Sequence, residues 1–414
     1  MMKRVAITGL GVVTCVGNDI GTFWKNLVEG NCGIDRISGF PTEGLQSCVA
    51  GEIRDFRPED FGIDKSFSRK QDKCTVFAMA AASQAVGQSG IVSGENVDPY
   101  RFFTYIGSGV GGIETTCREY ARMLEPDGAR WVSPHYIPSM IGNMPASQVA
   151  IKYGAMGSCL DIVTACATST HAIGEAFRAI RHGYADVALA GGTEHGTIPL
   201  GVAGFANCKA LSKRTDPAYA SLPFSADRDG FVLADGAAVL VLEEYGHALA
   251  RGAEIYAEMV GYGSTCDAFH ATAPRPDAST QARCVSMALE EAGYDPGKDV
   301  VYINAHGTGT PLNDVAETKA YKIAFGENAG KLHISSTKSM HGHMLGAGGA
   351  AEAVATVLAL RDGVVPPTVH LTAPDPECDL DYTPNKAVKA EITLGISNSF
   401  GFGGHNACIA FRKA

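Results

Sequence analysis

Short apolar runs alternate along the whole chain with longer stretches of helical, small-residue pattern. The strand-like runs are residues 5–13, 102–110, 187–192, 237–245, 300–307 and 392–400. Residues 73–90 and 279–293 have the pattern of amphipathic helices and end in glycine. This alternation predicts an α/β fold with mainly parallel, buried sheets.

Two segments of the chain follow the same order of features. Residues 158–183 and 331–363 each run strand, turn, small-residue helix, basic residue and glycine, and the helices end in "AIRHG" and "ALRDG". The similarity is weak residue by residue, so both duplication and coincidence stay open. A duplication would place the boundary within residues 243–263. We set it between residues 253 and 254, which gives an N-terminal half of residues 1–253 and a C-terminal half of residues 254–414.

Composition excludes several classes of protein. The 414 residues are 45% hydrophobic, which is enough for a large core, and the net charge of −10 disfavours nucleic acid as a partner. None of the 12 cysteines forms a C-x-x-C pair, so no metal site is expected. No signal peptide or membrane span is visible in the sequence. We predict a cytoplasmic protein with free thiols.

The segment "GSGVGG" (107–112) matches the G-x-G-x-x-G pattern after a strand-like run. A dinucleotide site also needs an acidic residue about twenty positions later at the end of a second strand. No such residue follows in a clean strand, so a tight turn with close backbone packing is the preferred interpretation.

Cys166 lies where the apolar run of "DIVTACATST" ends and a helix of small residues begins. Backbone N–H groups in a first helical turn stabilise a thiolate and supply donors for an oxyanion. Such a position lowers a thiol pKa below about 8.5. The alternative is a buried structural cysteine, which is common for a free thiol.

Three polar turns follow strand-like runs elsewhere in the chain. His306 lies in "NAHGTGTPLND", Lys338, His341 and His343 lie in "KSMHGHMLGAGGA", and "NSFGFGGHNA" combines two phenylalanines with three glycines. The carboxyl ends of strands are where α/β sheets build their sites. We therefore expect these turns to meet Cys166.

The four segments, in this order, resemble the β-ketoacyl-acyl-carrier-protein synthases, and the resemblance covers essentially the whole chain. It implies a thiolase fold in which two duplicated βαβαβαβ-type halves form a five-layer α-β-α-β-α arrangement, usually as a homodimer. It also implies a decarboxylating Claisen condensation of an acyl group with malonyl-acyl-carrier protein in fatty acid elongation, without a cofactor.

The resemblance also implies a role for individual residues. Cys166 is the acyl-accepting nucleophile, with His306, His343 and Lys338 completing the site. The resemblance implies that the Phe402 N–H joins that of Cys166 in the oxyanion hole and that the Phe402 ring acts as a gate. It also implies that Thr308 and Thr310 lie at the pantetheine arm, that Glu317 and Phe400 are supporting residues and that Val110 lies in the acyl pocket. The basic docking patch that it implies for the carrier protein consists of Lys65, Arg69, Lys70, Arg130 and Lys209. For each of these basic residues, an ordinary solvent-exposed position without a docking role is an equally good interpretation.

Two other histidines, His171 and His341, are interpreted as structural, and the role of a third, His405, stays open. His341 is one position out of register with the implied catalytic turn, His171 enters the buried helix, and His405 follows the glycine loop. His405 either tunes that loop or faces solvent.

Other members of the fold have different residue requirements. A degradative thiolase needs a second catalytic cysteine in the glycine loop, whereas Cys408 lies beyond it. An initiating condensing enzyme uses a Cys-His-Asn set, and Lys338 and His343 argue against that class. A non-catalytic chain-length-factor subunit lacks the nucleophile, whereas Cys166 is present in this sequence. A ketosynthase of a type II polyketide or specialised lipid pathway would share the chemistry and remains the alternative.

Overall fold

A computed structural model of the protein describes residues 2–414. The strands are β1 (Val5–Thr14), β2 (Asp35–Arg36), β3 (Val49–Ala50), β4 (Phe102–Gly107), β5 (Cys159–Leu160), β6 (Val187–Glu194), β7 (Gly236–Glu244), β8 (Ala257–Cys266), β9 (Val301–Asn304), β10 (His333–Ser335), β11 (Val364–Val365), β12 (Val388–Lys389), β13 (Leu394–Gly401) and β14 (His405–Arg412). The α-helices are α1 (Ile20–Glu29), α2 (Lys65–Ser68), α3 (Lys73–Ser89), α4 (Ile113–Met123), α5 (Tyr136–Met140), α6 (Met144–Tyr153), α7 (Thr168–Arg181), α8 (Pro199–Asn207), α9 (Tyr245–Ala250), α10 (Ser279–Ala292), α11 (Pro311–Phe325), α12 (Lys338–His341) and α13 (Gly348–Asp362).

The two halves of the chain repeat one order of elements. The series β1, α3, β4, β5, α7, β6, β7 is matched by β8, α10, β9, β10, α13, β13, β14. The main sheet has the order β10-β9-β13-β14-β8-β1-β7-β6-β4-β5, which is symmetric about the β8–β1 pair. The predicted duplication is confirmed. The boundary between residues 253 and 254 falls in the connection between α9 and β8, and its exact position stays a prediction.

The prediction of mainly parallel pairing is wrong. The strands β4, β5 and β6 pair in parallel, as do β9, β10 and β13. The central pairings that involve β1, β7, β8 and β14 are antiparallel. Every residue of β1 is buried, as is nearly all of β7. A strand covered on both faces has a continuous apolar sequence whatever the direction of its neighbour, so the sequence pattern could not separate the two cases.

Helices cover both outer faces of the sheet and fill the space between its halves. α3 packs on β1 and β7, and α10 packs on β8 and β14. α7 and α13 each contact strands of both halves and form the central layer. This is the predicted five-layer α-β-α-β-α arrangement.

The central helices approach each other closely because their residues are small. A Cβ placed on Gly349 of α13 would lie 2.0 Å from Thr170 Oγ1 of α7. The Ala350 N–H donates to Ser169 Oγ at 2.9 Å, and the Thr170 and Ser399 hydroxyl oxygens are 2.7 Å apart. Larger side chains would separate the first turn of α7 from the second half of the molecule.

The predicted long helices end within a residue of their expected positions. Gly90 follows α3 with φ 67° and Gly293 follows α10 with φ 63°, and glycine adopts this left-handed conformation without a Cβ clash. Within residues 2–414, the helices are all too short or too polar to cross a membrane.

Candidate active site

Cys166 lies in a 3₁₀ turn, Ala165–Ala167, that leads directly into α7. The turn is tight, because Ala165 has a φ of 51°, a conformation that is uncommon for a residue with a Cβ. Gly401, at the end of β13, packs against this turn. A Cβ on Gly401 would lie 2.8 Å from the Thr164 carbonyl oxygen and 3.2 Å from the Cys166 nitrogen. Glycine at position 401 therefore lets the second half of the molecule reach the backbone of the cysteine turn.

His306 and His343 come from separate loops and meet beside Cys166. His306 lies two residues after β9, and His343 follows the short helix α12. Both are 2% exposed, and their ring centroids are 5.4 Å apart with planes at 85°. Since β9, β10 and β13 run parallel, their carboxyl ends share one edge of the sheet and deliver the three predicted turns together.

Lys338 is buried behind the histidine pair. It forms an ion pair with Glu352 of α13, and its Nζ lies 3.5 Å from His306 Nδ1. An ammonium group only donates, so His306 Nδ1 accepts and the ring proton is carried by Nε2. Burial, followed by the positive charge of Lys338, holds the pKa values of both His306 and His343 well below 6.5. Both imidazoles are therefore neutral near pH 7.

Glu317 holds the backbone of the loop that carries His306, rather than the imidazole ring of His306. Its carboxylate accepts the backbone N–H groups of His306 and Gly307 at 2.7 Å each and the hydroxyl of Tyr321 at 2.6 Å. Glu317 is fully buried, and burial raises its pKa to about 7.

The thiol of Cys166 differs from the sequence prediction. Burial raises its pKa to about 11, although the N–H groups of Phe402 and Cys166 and the charge of Lys338 all favour the thiolate. The loss of water around the sulfur outweighs the helix terminus and the nearby donors. The expectation of a lowered pKa from position alone is therefore wrong.

The end of β13 and the glycine loop that follows it bring two phenylalanines to the site. Gly403 and Gly404 have φ values of 86° and 75°, which glycine adopts without strain. The Phe400 ring centroid is 5.9 Å from that of His306. Phe402 lines the cavity with Cys166, and the backbone N–H groups of both residues favour the thiolate form of Cys166. Two backbone N–H donors beside one reacting atom can also stabilise an oxyanion.

A cavity of about 310 Å³ opens onto Cys166. It brings together several predicted residues: Cys166, His306, His343, Thr308, Thr310, Phe400, Phe402 and Lys209. The Thr308 and Thr310 hydroxyl oxygens are 3.0 Å apart. Both nitrogens of the His343 ring are buried without a hydrogen-bond partner within residues 2–414. A buried imidazole without partners, facing an open cavity, points to a ligand that supplies them.

Other predicted residues lie outside this cavity. Val110 is 45% exposed, and its N–H donates to Glu194 at 3.3 Å; its role in an acyl pocket stays a prediction. Lys65, Arg69 and Lys70 are exposed in and just after α2, and Arg130 is exposed in a 3₁₀ turn. Only Lys209 of the predicted docking residues lines the cavity.

His171 and His341, which are interpreted as structural, have local hydrogen-bond partners. His171 contacts Thr164 Oγ1 at 2.9 Å and Ser264 Oγ at 3.1 Å. Both ring nitrogens of His341 are hydrogen-bonded, to the Gly342 carbonyl and to Thr337 Oγ1. The His405 ring centroid lies 6.3 Å from that of His171.

Sequence reasoning missed three polar residues around the site. Glu352 is the single charged residue in the stretch "GGAAEAVATV", which forms the first two-thirds of α13, and this isolated charge is a signal that could have found it. Asp267, one residue after β8, accepts hydrogen bonds from Asn406 at 2.7 Å and from the backbone of Arg275 at 3.0 Å. Gln281 lines the cavity from α10, and no sequence signal distinguishes it from an ordinary helical glutamine.

Comparison with known proteins supports the resemblance to the β-ketoacyl synthases. Residues 2–248 match the family model described as "Beta-ketoacyl synthase, N-terminal domain", and residues 256–372 match its C-terminal domain. The chain is 47% identical over 411 residues to 3-oxoacyl-[acyl-carrier-protein] synthase 2 of Staphylococcus aureus (strain COL), covering 99% of this chain and 98% of the relative. It is equally identical over 413 residues to the Synechocystis protein of that name, with the same coverage.

Solved structures give the same result. A β-ketoacyl synthase from Burkholderia phymatum matches with a TM-score of 0.91 and 36% identity, covering both chains fully. A type II polyketide ketosynthase, solved with its acyl-carrier protein, matches with a TM-score of 0.90 and 35% identity, again covering both chains fully. The chain belongs to the β-ketoacyl synthase family.

Proposed function

We propose that the protein condenses an acyl group, held as a thioester on Cys166, with malonyl-acyl-carrier protein. The products are CO₂ and a 3-oxoacyl-acyl-carrier protein two carbons longer. The observation that carries this proposal is the single cavity that holds the Cys166 thiol beside two neutral imidazoles.

The first step is acyl transfer to Cys166. Its Sγ attacks the carbonyl carbon of the incoming thioester, and the resulting oxyanion is received by the N–H groups of Cys166 and Phe402. The tetrahedral intermediate collapses by breaking the bond to the carrier sulfur. Overall, the thiol proton of Cys166 ends on the departing carrier thiol, so charge is balanced.

The second step is decarboxylation of the malonyl group. The bond between its carboxylate and the α-carbon breaks, CO₂ leaves and negative charge develops on the thioester oxygen. Neutral His306 and His343 each offer one ring N–H to that oxygen. The α-carbon then attacks the acyl-Cys166 carbonyl, a carbon–carbon bond forms and the Cys166 sulfur departs as a thiolate, which takes up one proton from solvent to restore the thiol.

The buried charge of Lys338 keeps this arrangement productive. An imidazolium would be a strong acid beside the enolate and would protonate its carbon before condensation. Because Lys338 Nζ lies 3.5 Å from His306 Nδ1, a second positive charge there is unfavourable. We propose that Lys338 acts on His306 in this way and that Glu352 stabilises Lys338.

Fatty acid elongation is the pathway we propose. The 47% identity to two proteins named 3-oxoacyl-[acyl-carrier-protein] synthase 2 supports it. A polyketide or specialised lipid pathway is the second candidate, supported by the 35% identical polyketide ketosynthase. Cys166 disfavours a non-catalytic chain-length-factor subunit.

Carrier-protein binding and dimerisation are part of the proposal. Lys209, exposed at the cavity, with Lys65, Arg69, Lys70 and Arg130 would meet an acidic carrier protein. A homodimer would cover β5, at the edge of the sheet, and the exposed apolar side chains of Leu160 in this strand and Val163 just after it. The twelve free cysteines support a reducing compartment such as the cytoplasm.

Acylation of the purified protein tests the function. The protein is incubated with acyl-carrier protein alone and then with malonyl-carrier protein, and both adduct and product are identified by mass spectrometry. We expect an acyl adduct on Cys166 and a product two carbons longer. An adduct on another residue would refute the site, and CO₂ release without chain extension would refute the condensation.

A further inference from the structure

Gln281 is a buried amide with no partner, facing the cavity that opens onto Cys166. It lies in the first turn of α10, is 0% exposed and lines this cavity. Neither Oε1 nor Nε2 has a hydrogen-bond partner within residues 2–414. An unsatisfied buried polar group costs roughly 1–3 kcal/mol. An amide with two such atoms therefore needs an explanation outside the protein's own hydrogen bonds.

The described part of the chain supplies no hydrogen bond to the Gln281 amide. Where α10 packs against α11, the buried apolar cluster consists of four alanines, Ala278, Ala282, Ala316 and Ala320. The adjacent Thr280 hydroxyl already donates to Asp267. A partner for the amide must then come from the cavity, either as a group of a ligand or as water.

The other buried polar groups of the cavity are already engaged, with one exception. Thr308 and Thr310 contact each other, and the Asn313 amide donates to Asp314 at 3.2 Å. Among the cavity-lining residues of the described chain, only His343 and Gln281 have buried side-chain atoms that lack a partner. The mechanism assigns His343 to the thioester oxygen, and it assigns nothing to Gln281.

We infer that Gln281 binds a secondary amide of the arm that carries the thioester; this rests on the proposed function. A primary amide offers one acceptor oxygen and an N–H donor, and a secondary amide of the ligand presents the complementary pair. Pantetheine has two such amides between its thiol and its outer end. Gln281 is a binding residue that selects thioesters with an amide-bearing arm, whatever the acyl chain.

The test compares two small thioesters of one acyl chain, an acyl-pantetheine and an acyl-ethanethiol. The second has the same reacting carbonyl and no amide. Acylation of Cys166 is followed by mass spectrometry in the full-length protein and in Gln281→Met, whose side chain has similar length without the amide. We expect Gln281→Met to lower kcat/KM for the pantetheine thioester about tenfold, as one lost hydrogen bond of about 1.4 kcal/mol would. The value for the ethanethiol thioester should stay within about twofold.

A matched control uses Thr104→Val. Thr104 is also fully buried with an unpartnered hydroxyl, but it lies in β4 and away from the cavity. Thr104→Val should change kcat/KM for neither thioester. Removing an unsatisfied amide should also leave the melting temperature of unliganded Gln281→Met equal or higher; if Met does not fit, Gln281→Leu is measured in the same way.

The outcomes separate this inference from the proposed function. Equal losses for both thioesters would show a structural role for Gln281, and no loss for either would show that water satisfies the amide. Each result overturns the inference while acylation of Cys166 stands. If neither thioester, nor acyl-carrier protein, acylates the unmodified protein on Cys166, the proposed function fails together with the inference.

Discussion

The loops after β4 and β9 occupy equivalent positions in the two halves of the molecule and are held by the same device. Glu194 accepts the N–H groups of Gly109 at 2.8 Å and Val110 at 3.3 Å. Glu317 accepts those of His306 and Gly307 at 2.7 Å. Both carboxyl groups are fully buried, and burial raises the pKa of each to about 7.

The two loops differ in what they present. The loop after β9 carries an imidazole into the cavity, whereas the loop after β4 carries small residues and an exposed valine. The duplicated fold thus supplies a rigid loop twice, and a functional side chain is added to one copy. The turns after β5 and β10 differ from this pattern, because both carry residues of the site: Cys166 follows β5, and Lys338 and His343 follow β10.

The largest expected effect tests the contribution of the first half. Cys166→Ala should lower condensation by at least about a thousandfold, because no other group takes the acyl chain. Cys166→Gln should lose condensation but keep decarboxylating malonyl-carrier protein, because its amide imitates the acylated thiol. Cys74→Ala, which removes another buried thiol of the same half, serves as the control and should keep both activities. Condensation by Cys166→Ala would show that the nucleophile lies elsewhere.

The next effect tests the contribution of the second half. His306→Ala and His343→Ala should each lower malonyl decarboxylation about 10²- to 10³-fold, the loss seen when one donor to a developing oxyanion is removed. The release of CO₂ from malonyl-carrier protein measures this step without the acyl chain. His341→Gln is the comparison, because the ring of His341 is engaged by Gly342 and Thr337 and should affect stability rather than decarboxylation. Unchanged decarboxylation in both alanine variants would remove the histidines from the mechanism.

The pH dependence of the thiol weighs burial, which disfavours the thiolate of Cys166, against the helix terminus, which favours it. With a pKa of about 11, Cys166 is almost wholly a thiol at neutral pH, so the thiolate fraction rises about tenfold for each pH unit below that value. Alkylation of Cys166 by iodoacetamide, measured by mass spectrometry of its peptide, should therefore rise about 100-fold between pH 7 and pH 9. A rate that levels off below pH 8 would mean that the helix terminus outweighs burial, as the sequence alone predicted.

That contrast shows how far sequence reasoning reaches. The bounds of α3 and α10, the repeated order of elements and the position of Cys166 at the start of α7 follow from local patterns of apolar, small and glycine residues. The antiparallel pairing of β1 and β7 does not, because strands buried on both faces lose the alternation that would reveal it. The pKa of Cys166 and the unpaired amide of Gln281 depend on distant segments that exclude water from each group. The local sequence contains no trace of either.

The smallest effect compares the two buried carboxylates directly. Glu317→Gln and Glu194→Gln should each lose at least one backbone hydrogen bond, since an amide nitrogen cannot accept from a backbone N–H. The cost in stability is about 1–3 kcal/mol in each variant, measured by denaturant unfolding. Only Glu317→Gln should also lower malonyl decarboxylation, by about tenfold, because only its loop positions an imidazole. The Glu194 carboxylate also accepts the Gly346 N–H at 3.0 Å, three residues after His343. An equal loss of decarboxylation in both variants would therefore mean that Glu194 positions His343 as Glu317 positions His306, and that the two halves share the work of orienting the site.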